Sequence, residues 1–240
     1  MARPAPALVL FARAPRRGEV KRRLTPPLTP DEALAVHLAL LEDSLGLIAI
    51  AAREAKAQPF LSFSEPFAPE GSPALAFLET AARGMARLPQ RRGDLGARIL
   101  GAFTDLIEGQ RRPGAVIVGS DSPTLPPAIL VGALDRLRVG AEVVLGPAED
   151  GGYCLIGATR PMDAIFDGIP WGTSEVLAAT LQAIDREGLR LALLETWHDV
   201  DRPEDLPRLR REIAGRGPGL ATRTAAVLER LARQGRLPSG

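Results

Sequence analysis

The sequence predicts an α/β fold built on a mixed, mostly parallel sheet with helices on both faces. Short continuous apolar runs typical of buried strands recur along the chain, beginning with ALVLFA at residues 7–12. Between most of these runs lie longer segments whose apolar residues repeat at three- and four-residue spacing, as in helices that cover a sheet. A chain of 240 residues with 45% hydrophobic content is long enough for one such domain with a large core.

The predicted strands and helices alternate along most of the chain. The strands span residues 7–12, 60–63, 115–119, 142–145, 153–157 and 189–194. The helices span residues 74–83, 95–108, 126–139, 173–187, 203–213 and 222–233, and another begins at Pro30. Thr29 as N-cap and Glu32 as its capping-box partner mark that first helix. The strand at 153–157 follows its predecessor too closely for a helical crossover, so we expect it to run antiparallel or at an edge.

The composition excludes several classes of function. The chain carries 30 basic and 29 acidic residues, a balance that gives no reason to expect nucleic acid or membrane binding. One cysteine rules out an intrachain disulfide and a cysteine-rich zinc site, and two histidines rule out a multi-histidine metal site. The N-terminal apolar run faintly resembles a signal peptide, but a buried first strand explains it better. We therefore expect a cytoplasmic protein.

The loop FARAPRRGEVKRRL, residues 11–24, follows the first strand and carries many cations. In open α/β sheets, ligands bind beyond the carboxyl ends of the strands, which places this loop at a ligand site. Its candidate phosphate-binding residues are Arg13, Arg17, Gly18, Lys21 and Arg22. The loop is neither a P-loop nor a GxGxxG motif. The alternative is a solvated arginine-rich surface loop.

The segment VIVGSDSPTLP, residues 116–126, places Asp121 just past the end of a buried strand. A carboxylate in this position is suited to Mg²⁺ or Mn²⁺, which prefer oxygen ligands and often share them with substrate phosphates. The alternative is a helix cap, although Thr124 is better placed to cap the helix that follows.

The segment GPAEDGGYCLIG, residues 146–157, is a candidate acceptor site. Asp150 precedes Gly151 and Gly152, whose conformational freedom would let a substrate lie against the backbone beside Tyr153. Asp-Gly is also a strong signal for a tight hairpin turn, and one loop can serve both purposes.

The segment WHDVDRPEDL, residues 197–206, supplies two further carboxylates after the last strand. Asp199 and Asp201 would point the same way if the strand continued, and could then share one cation. Asp201 could instead cap the helix predicted from Pro203, which would leave Asp199 free for metal. His198 is interpreted as a structural neighbour.

A weaker candidate is RRGDLGARI, residues 91–99. Gly93 and Asp94 could contact a base or a sugar. Asp94 could equally be the N-cap of the helix predicted from residue 95.

Six motifs occur in the order GEVKRRL, GDLG, GSDSPTLP, GPAEDGGYCLIG, PWGTSEV and DVDRPEDL. Together they resemble a bacterial family of GT-A-like proteins described as glycosyltransferases, which is related to 2-phospho-L-lactate guanylyltransferase and molybdenum cofactor guanylyltransferase. The resemblance covers residues 8–206 and implies a nucleotide-diphospho-sugar transferase fold. It also implies that Lys21 contacts phosphate, that Asp121 binds Mg²⁺, and that Asp199 or Asp201 completes the metal site.

We expect a GT-A-like domain at residues 1–214, followed by a helical tail at 215–240 that contains a Gly-Pro-Gly breaker and one amphipathic helix. We expect a metal-dependent transferase that uses a nucleotide or nucleotide-sugar donor and a small-molecule acceptor, with Lys21 and Asp121 as its catalytic residues. The family label favours a glycosyltransferase. A nucleotidyltransferase that releases pyrophosphate is the alternative, because the cationic loop suits a triphosphate, and a non-catalytic nucleotide-binding regulator is a further one.

Overall fold

A mixed seven-stranded sheet forms the centre of the computed structural model, which describes residues 4–64, 80–216 and 219–238. The strands lie in the order β3-β2-β1-β4-β6-β5-β7. Their bounds are β1 Ala7–Arg13, β2 Gln58–Ser64, β3 Ala86–Arg87, β4 Ala115–Gly119, β5 Val143–Pro147, β6 Tyr153–Ala158 and β7 Leu191–Leu193. The mostly parallel α/β fold expected from the sequence is thus confirmed.

The strand directions bring the functional loops to one edge of the sheet. β1 pairs in parallel with β2 and β4, so the loops after β1 and β4 leave the sheet at the same edge. β6 runs antiparallel to both β4 and β5, as expected from its short separation from β5. The N-terminal end of β6 therefore lies beside the carboxyl end of β4.

Helices cover both faces of this sheet. The described helices are α1 Pro30–Glu54, α2 Leu95–Phe103, α3 Pro127–Arg138, α4 Val176–Arg186, α5 Asp205–Gly215 and α6 Thr222–Arg233. Buried residues of α1 and α3 pack with one face of the strands, and those of α2 and α4 pack with the other. Strands buried on both faces need apolar residues at successive positions, which explains their continuous apolar runs.

Helix α1 begins with the predicted capping box. The Thr29 side chain accepts from the backbone N–H of Glu32, and the Glu32 carboxylate accepts from the backbone N–H of Thr29. By length and composition alone this helix could cross a membrane, but 56% of its most apolar window is buried inside the fold. Its apolar character is that of a core helix, because its buried residues pack against the sheet on one side and against the C-terminal helices on the other.

A third apolar cluster joins the C-terminal helices to α1. Buried side chains of α5 and α6, including Leu209 and Leu228, pack against Val36 and Leu40 of α1. The proposed boundary between residues 214 and 215 stays a prediction.

Several predicted helix boundaries were wrong. The helix expected over 95–108 ends at Phe103 and continues as a single π-helical stretch, Thr104–Gly109. The helices expected from residues 173 and 203 begin later, at Val176 and Asp205. Thr124 does not cap α3, whose N-cap is Pro126 without a side-chain hydrogen bond. The helix expected over 74–83 lies largely outside the described residues.

Candidate active site

A large cleft of about 1090 Å³ lies at the edge of the sheet where β1 and β4 end. It collects side chains from all four main loops singled out in the sequence. The predicted residues that line it are Arg13, Lys21, Arg22, Asp121, Asp150, Gly152, Tyr153, Asp199 and Asp201. The topology therefore brings together the cationic first loop, the β4 carboxylate and the late carboxylates.

Lys21 lies at the centre of this cleft, between carboxylates from two other loops. Its Nζ is 2.8 Å from Asp121 Oδ1 and 3.2 Å from Asp201 Oδ1, and it donates to the Val200 carbonyl at 2.6 Å. The Lys21 side chain is only 5% exposed, whereas the carboxylates of Asp121 and Asp201 are 38% and 41% exposed. Both carboxylates thus contact the same buried ammonium group of Lys21, and both remain partly exposed to the cleft.

The backbone around Lys21 explains why it can reach this position. Lys21 has a left-handed conformation, with φ of 47°, and precedes a short turn anchored by the buried Leu24. On the opposite side, the buried Val200 donates its N–H to the Asp121 carbonyl at 2.9 Å. This hydrogen bond fixes the late carboxylate loop beside the end of β4.

The charges at this centre depend on each other. Burial alone would lower the pKa of the Lys21 ammonium, but the adjacent charges of Asp121 and Asp201 raise it above its usual value. Burial would raise the pKa of Asp121, and the neighbouring Lys21 holds it below its usual value instead. Lys21 and Asp121 are therefore both charged at neutral pH.

Asp199 has a different environment from Asp201. Its Oδ1 accepts a short hydrogen bond from the Ser122 hydroxyl. Burial raises the pKa of Asp199 to about 6; the Ser122 hydrogen bond opposes this rise and the charge of Asp121 adds to it. Asp201 instead pairs with Lys21 and with Arg23, whose Nη1 is 3.5 Å away. Asp199 and Asp201 therefore contact different partners. The Asp201 side chain does not cap a helix; instead, the backbone N–H of Asp201 donates to the Asp205 carboxylate.

Three arginines near this centre form an arginine wall of the cleft. Arg13, Arg22 and Arg98 line it, and among the described residues none of the three has a carboxylate within ion-pair distance. Arg98 is held by neutral acceptors, the Gln90 side chain at 3.2 Å and the Asp94 carbonyl at 3.1 Å. Burial and then repulsion from Arg13 lower the pKa of Arg98. This wall is a ready binding surface for an anion.

Three residues in this region were missed by the sequence analysis. Arg98 lies one turn beyond the Asp94 cap of α2, a position that could have indicated it. Gln90 is buried and donates to the carbonyls of Ala12 and Ser62, tying β1 and β2 to the loop before α2. His37 is a buried residue of the cleft lining, with Nε2 3.1 Å from the Arg13 carbonyl oxygen, and burial lowers its pKa.

The β5–β6 hairpin forms a third part of the cleft. Asp150 accepts from the backbone N–H of Gly152 at 2.9 Å, which shapes the turn. The Tyr153 ring lines the cleft, but its hydroxyl is buried, and burial raises the pKa of the phenol. Gly151 is packed rather than open, because a Cβ there would lie 2.1 Å from the Ser174 carbonyl oxygen. Its φ of 87° and this close approach explain the glycine.

Some predicted residues have other roles in the described structure. On the exposed surface, Arg17 Nε and Nη2 donate hydrogen bonds to the two carboxylate oxygens of Asp31 at 2.6 and 3.0 Å. The adjacent Gly18 adopts a turn with φ of 75°. Asp94 caps α2 by accepting from the Ala97 N–H at 2.8 Å, next to Gly93 with φ of 124°. None of these four residues lines the cleft, because each is committed to local structure.

The central carboxylates fit a divalent cation held partly by substrate. The ammonium of Lys21 shows that Asp121 and Asp201 are arranged to share a positive charge. Among the described residues, no three acidic, histidine or cysteine side chains form a closed metal cage. Mg²⁺ commonly binds through one or two carboxylates, waters and phosphate oxygens, and this donor set matches that pattern.

The fold and the cleft together define an α/β protein of the nucleotide-diphospho-sugar transferase-like class. The chain belongs to the family described as an uncharacterized protein conserved in bacteria (DUF2064), whose model matches residues 48–173, more than half of its length. No curated protein sequence matches it.

Solved structures similar to this chain include transferases that handle nucleotides. A candidate nucleotide-diphospho-sugar transferase from Desulfovibrio desulfuricans G20 is 27% identical, with a TM-score of 0.80 over 95% of both chains. A nucleotidyl transferase from Methanothermobacter thermautotrophicus is 17% identical, with a TM-score of 0.55 over 88% of this chain and 99% of that one. A cytidylyltransferase from Leptospira borgpetersenii is 12% identical, with a TM-score of 0.56 over 99% and 98%. The last two likenesses concern the fold alone.

Proposed function

We propose that this protein is a cation-dependent transferase that moves a sugar from a nucleotide-diphospho-sugar donor to a small acceptor. The observation that carries the proposal is the meeting of Lys21, Asp121 and Asp201 in one cleft that Arg13, Arg22 and Arg98 also line. The structural likeness to the candidate nucleotide-diphospho-sugar transferase, at a TM-score of 0.80, supports the same donor class.

The donor phosphates would bind between the first loop and Arg98 of α2. Arg13, Arg22 and Arg98 can each donate forked hydrogen bonds to phosphate oxygens, and none is neutralised by a carboxylate within ion-pair distance among the described residues. Lys21 adds a point charge beside Asp121. This wall would hold the diphosphate and stabilise the charge that develops on it as the bond to the sugar breaks.

A divalent cation would be held by Asp121, with Asp199 or Asp201 as the second carboxylate. When bound, the cation would supply charge neutralisation at the leaving phosphate. In the transfer step, an acceptor hydroxyl oxygen bonds to the anomeric carbon and the bond from that carbon to the phosphate oxygen breaks. The nucleoside diphosphate leaves with the bonding electrons, and the acceptor proton passes to solvent.

A product assay tests the proposal. The purified chain is incubated with Mg²⁺, a panel of nucleotide sugars and mixed hydroxyl acceptors, and nucleoside diphosphate release is measured. Turnover that disappears with EDTA and in Asp121→Asn supports sugar transfer. Binding of nucleotides without turnover of any donor would point to the regulator alternative.

Nucleotidyl transfer is the second candidate, and the number of cations in the cleft favours it. The cations that line the cleft include Arg13, Lys21, Arg22 and Arg98, and four such groups are enough to contact a triphosphate. In that reaction an acceptor phosphate attacks the α-phosphorus and pyrophosphate leaves. Pyrophosphate release from nucleoside triphosphates, with no nucleotide sugar consumed, would replace the first proposal by this one.

A further inference from the structure

One wall of the cleft carries a partly exposed aromatic ring that the donor site described above does not use. Trp171 lies in the loop before α4 and lines the cleft together with Leu95, an apolar side chain that is 39% exposed. An indole and a leucine facing the same open space provide an apolar surface that a ligand can cover.

The Trp171 ring is held in a fixed position. Its centroid is 6.3 Å from that of Tyr153 at an interplanar angle of 81°, and 6.5 Å from that of Phe166 at 26°. The ring also packs against the backbone of Gly96, where a Cβ would lie 2.8 Å from Trp171 Cζ2. The platform is therefore formed before any ligand binds.

The loop that carries Trp171 is joined to the β5–β6 hairpin. The Ser174 carbonyl packs on Gly151, and the Leu177 N–H donates to the Gly151 carbonyl at 2.9 Å. The Thr173 hydroxyl donates to the Pro170 carbonyl at 2.9 Å and accepts from the Glu175 N–H at 3.2 Å. Thr173 is committed to this local turn, whereas the exposed Ser174 hydroxyl has no hydrogen-bond partner among the described residues.

Within the part of the chain that the structure describes, the carboxylate of Asp150 carries an unpaired negative charge on this side of the cleft. Asp150 is exposed, and among the described residues it has no cation within ion-pair distance. The charge of the neighbouring Glu149 is balanced by Arg208, whose Nη1 and Nη2 donate to the two carboxylate oxygens of Glu149 at 2.5 and 2.7 Å. The segments 149–153 and 171–176 contain no basic residue. An anionic group placed against Asp150 would therefore be repelled by it.

We infer that Leu95, Asp150, Trp171 and Ser174 form the acceptor subsite, and that the acceptor is an uncharged ring compound with several hydroxyl groups, such as a sugar or cyclitol. This inference rests on the proposed transferase function. The carbon–hydrogen face of such a ring packs on the indole, and its hydroxyls donate to Asp150 and exchange hydrogen bonds with Ser174. A phosphorylated acceptor is disfavoured by the charge of Asp150.

Tryptophan fluorescence reports directly on this platform. The chain has two tryptophans, so Trp197→Phe leaves Trp171 as the single tryptophan, which is excited selectively at the red edge of protein absorption. That variant is titrated with glucose and myo-inositol, and separately with glucose 6-phosphate and inositol 1-phosphate, in the presence of Mg²⁺ and a nucleoside diphosphate. We expect the neutral compounds to change the Trp171 emission and to bind about tenfold more tightly than their phosphorylated counterparts.

Two variants separate charge from structure. Asp150→Asn should remove the discrimination against phosphorylated compounds, an effect that a purely structural role for Asp150 would not produce. Trp171→Leu should weaken the binding of the neutral ring compounds, measured by calorimetry, while nucleotide affinity remains within about twofold of wild type.

Three outcomes would overturn the inference. The first is equal or tighter binding of the phosphorylated compounds, and the second is the absence of any response to the uncharged panel from a protein that does bind nucleotide. The third is a loss of nucleotide affinity in Trp171→Leu, which would make the indole a platform for the base. Failure of the proposed function is distinct from all of these, because no nucleotide would then bind in the presence of Mg²⁺.

Discussion

The ammonium of Lys21 lies 2.8 Å from the carboxylate of Asp121, although the two residues belong to loops that leave different strands. The parallel pairing of β1 with β4 makes this contact possible, since it brings both loops to one edge of the sheet. Burying an ammonium group is costly unless an opposite charge lies beside it. Asp121 therefore offsets the cost of burying the Lys21 ammonium in the cleft.

Replacing Lys21 by glutamine is expected to weaken nucleotide binding. The substitution removes a charge-assisted contact to phosphate worth about 1.5–3 kcal/mol, which corresponds to a loss of roughly 10- to 100-fold in affinity. Calorimetric titration with nucleoside diphosphates and Mg²⁺ measures the change. Lys56→Gln is the matched control, because Lys56 is the only other lysine in the chain and is exposed. Equal affinities for the two variants would remove Lys21 from the donor site.

Replacing Asp121 by asparagine is expected to abolish the Mg²⁺ dependence of nucleotide binding. The neutral amide retains the shape of the carboxylate but loses the charge that attracts a hard cation. Titrations with and without EDTA should give the same affinity for the variant and different affinities for wild type. Asp135→Asn, which removes a partner of Arg138 on the exposed surface of α3, should behave as wild type. A Mg²⁺ effect that survives in Asp121→Asn would contradict the assignment.

The fold was predictable because its strands are buried on both faces and its helices are periodic. The run ALVLFA lies in β1, and apolar residues at three- and four-residue spacing, Leu41, Leu45 and Ile48, lie on the buried face of α1. Asp121 and Lys21 were predictable for a related reason: loops that follow neighbouring parallel strands meet at one edge. These features depend on local pattern and on a general rule of topology.

The remaining site residues depend on tertiary packing that no local pattern encodes. Arg98 reaches the cleft because Gln90 ties the loop before α2 to β1 and β2. Helix α4 begins at Val176 rather than residue 173 because the preceding loop packs its Ser174 carbonyl onto Gly151. Arg17 was expected in the site for its charge, but Asp31 of α1 binds it outside the cleft.

Glu32 is expected to contribute stability that depends on pH. It completes the α1 capping box and lies 3.0 Å from Arg236, and these contacts lower its pKa from 4.5 to about 2, with the Arg236 hydrogen bond as the largest cause. Because the folded pKa lies below the unfolded one, this stability is fully present above about pH 4.5 and is lost as pH falls toward 2. Glu32→Gln should cost about 1 kcal/mol at pH 7.

Urea denaturation of wild type and Glu32→Gln at pH 7 and pH 3 measures this dependence. The difference in the free energy of unfolding should shrink at the lower pH. Glu54→Gln, at the exposed end of the same helix, is the control and should not reduce stability at either pH. A constant difference between Glu32→Gln and wild type would show that the cap acts without its charge.

Gly151→Ala is expected to destabilise the protein more than Gly188→Ala, although both glycines have positive φ. The two substitutions share the strain of a left-handed backbone, with φ of 87° at Gly151 and 64° at Gly188, which costs about 1 kcal/mol for alanine. Only at Gly151 does the new Cβ meet an atom, the Ser174 carbonyl oxygen at 2.1 Å, while the space around Gly188 is open. We therefore expect an additional loss of at least about 1–3 kcal/mol for Gly151→Ala, together with weaker acceptor binding, because the hairpin would separate from the Trp171 loop. Chemical denaturation of both variants measures the difference, and equal destabilisation would show that the hairpin yields without disturbing that loop.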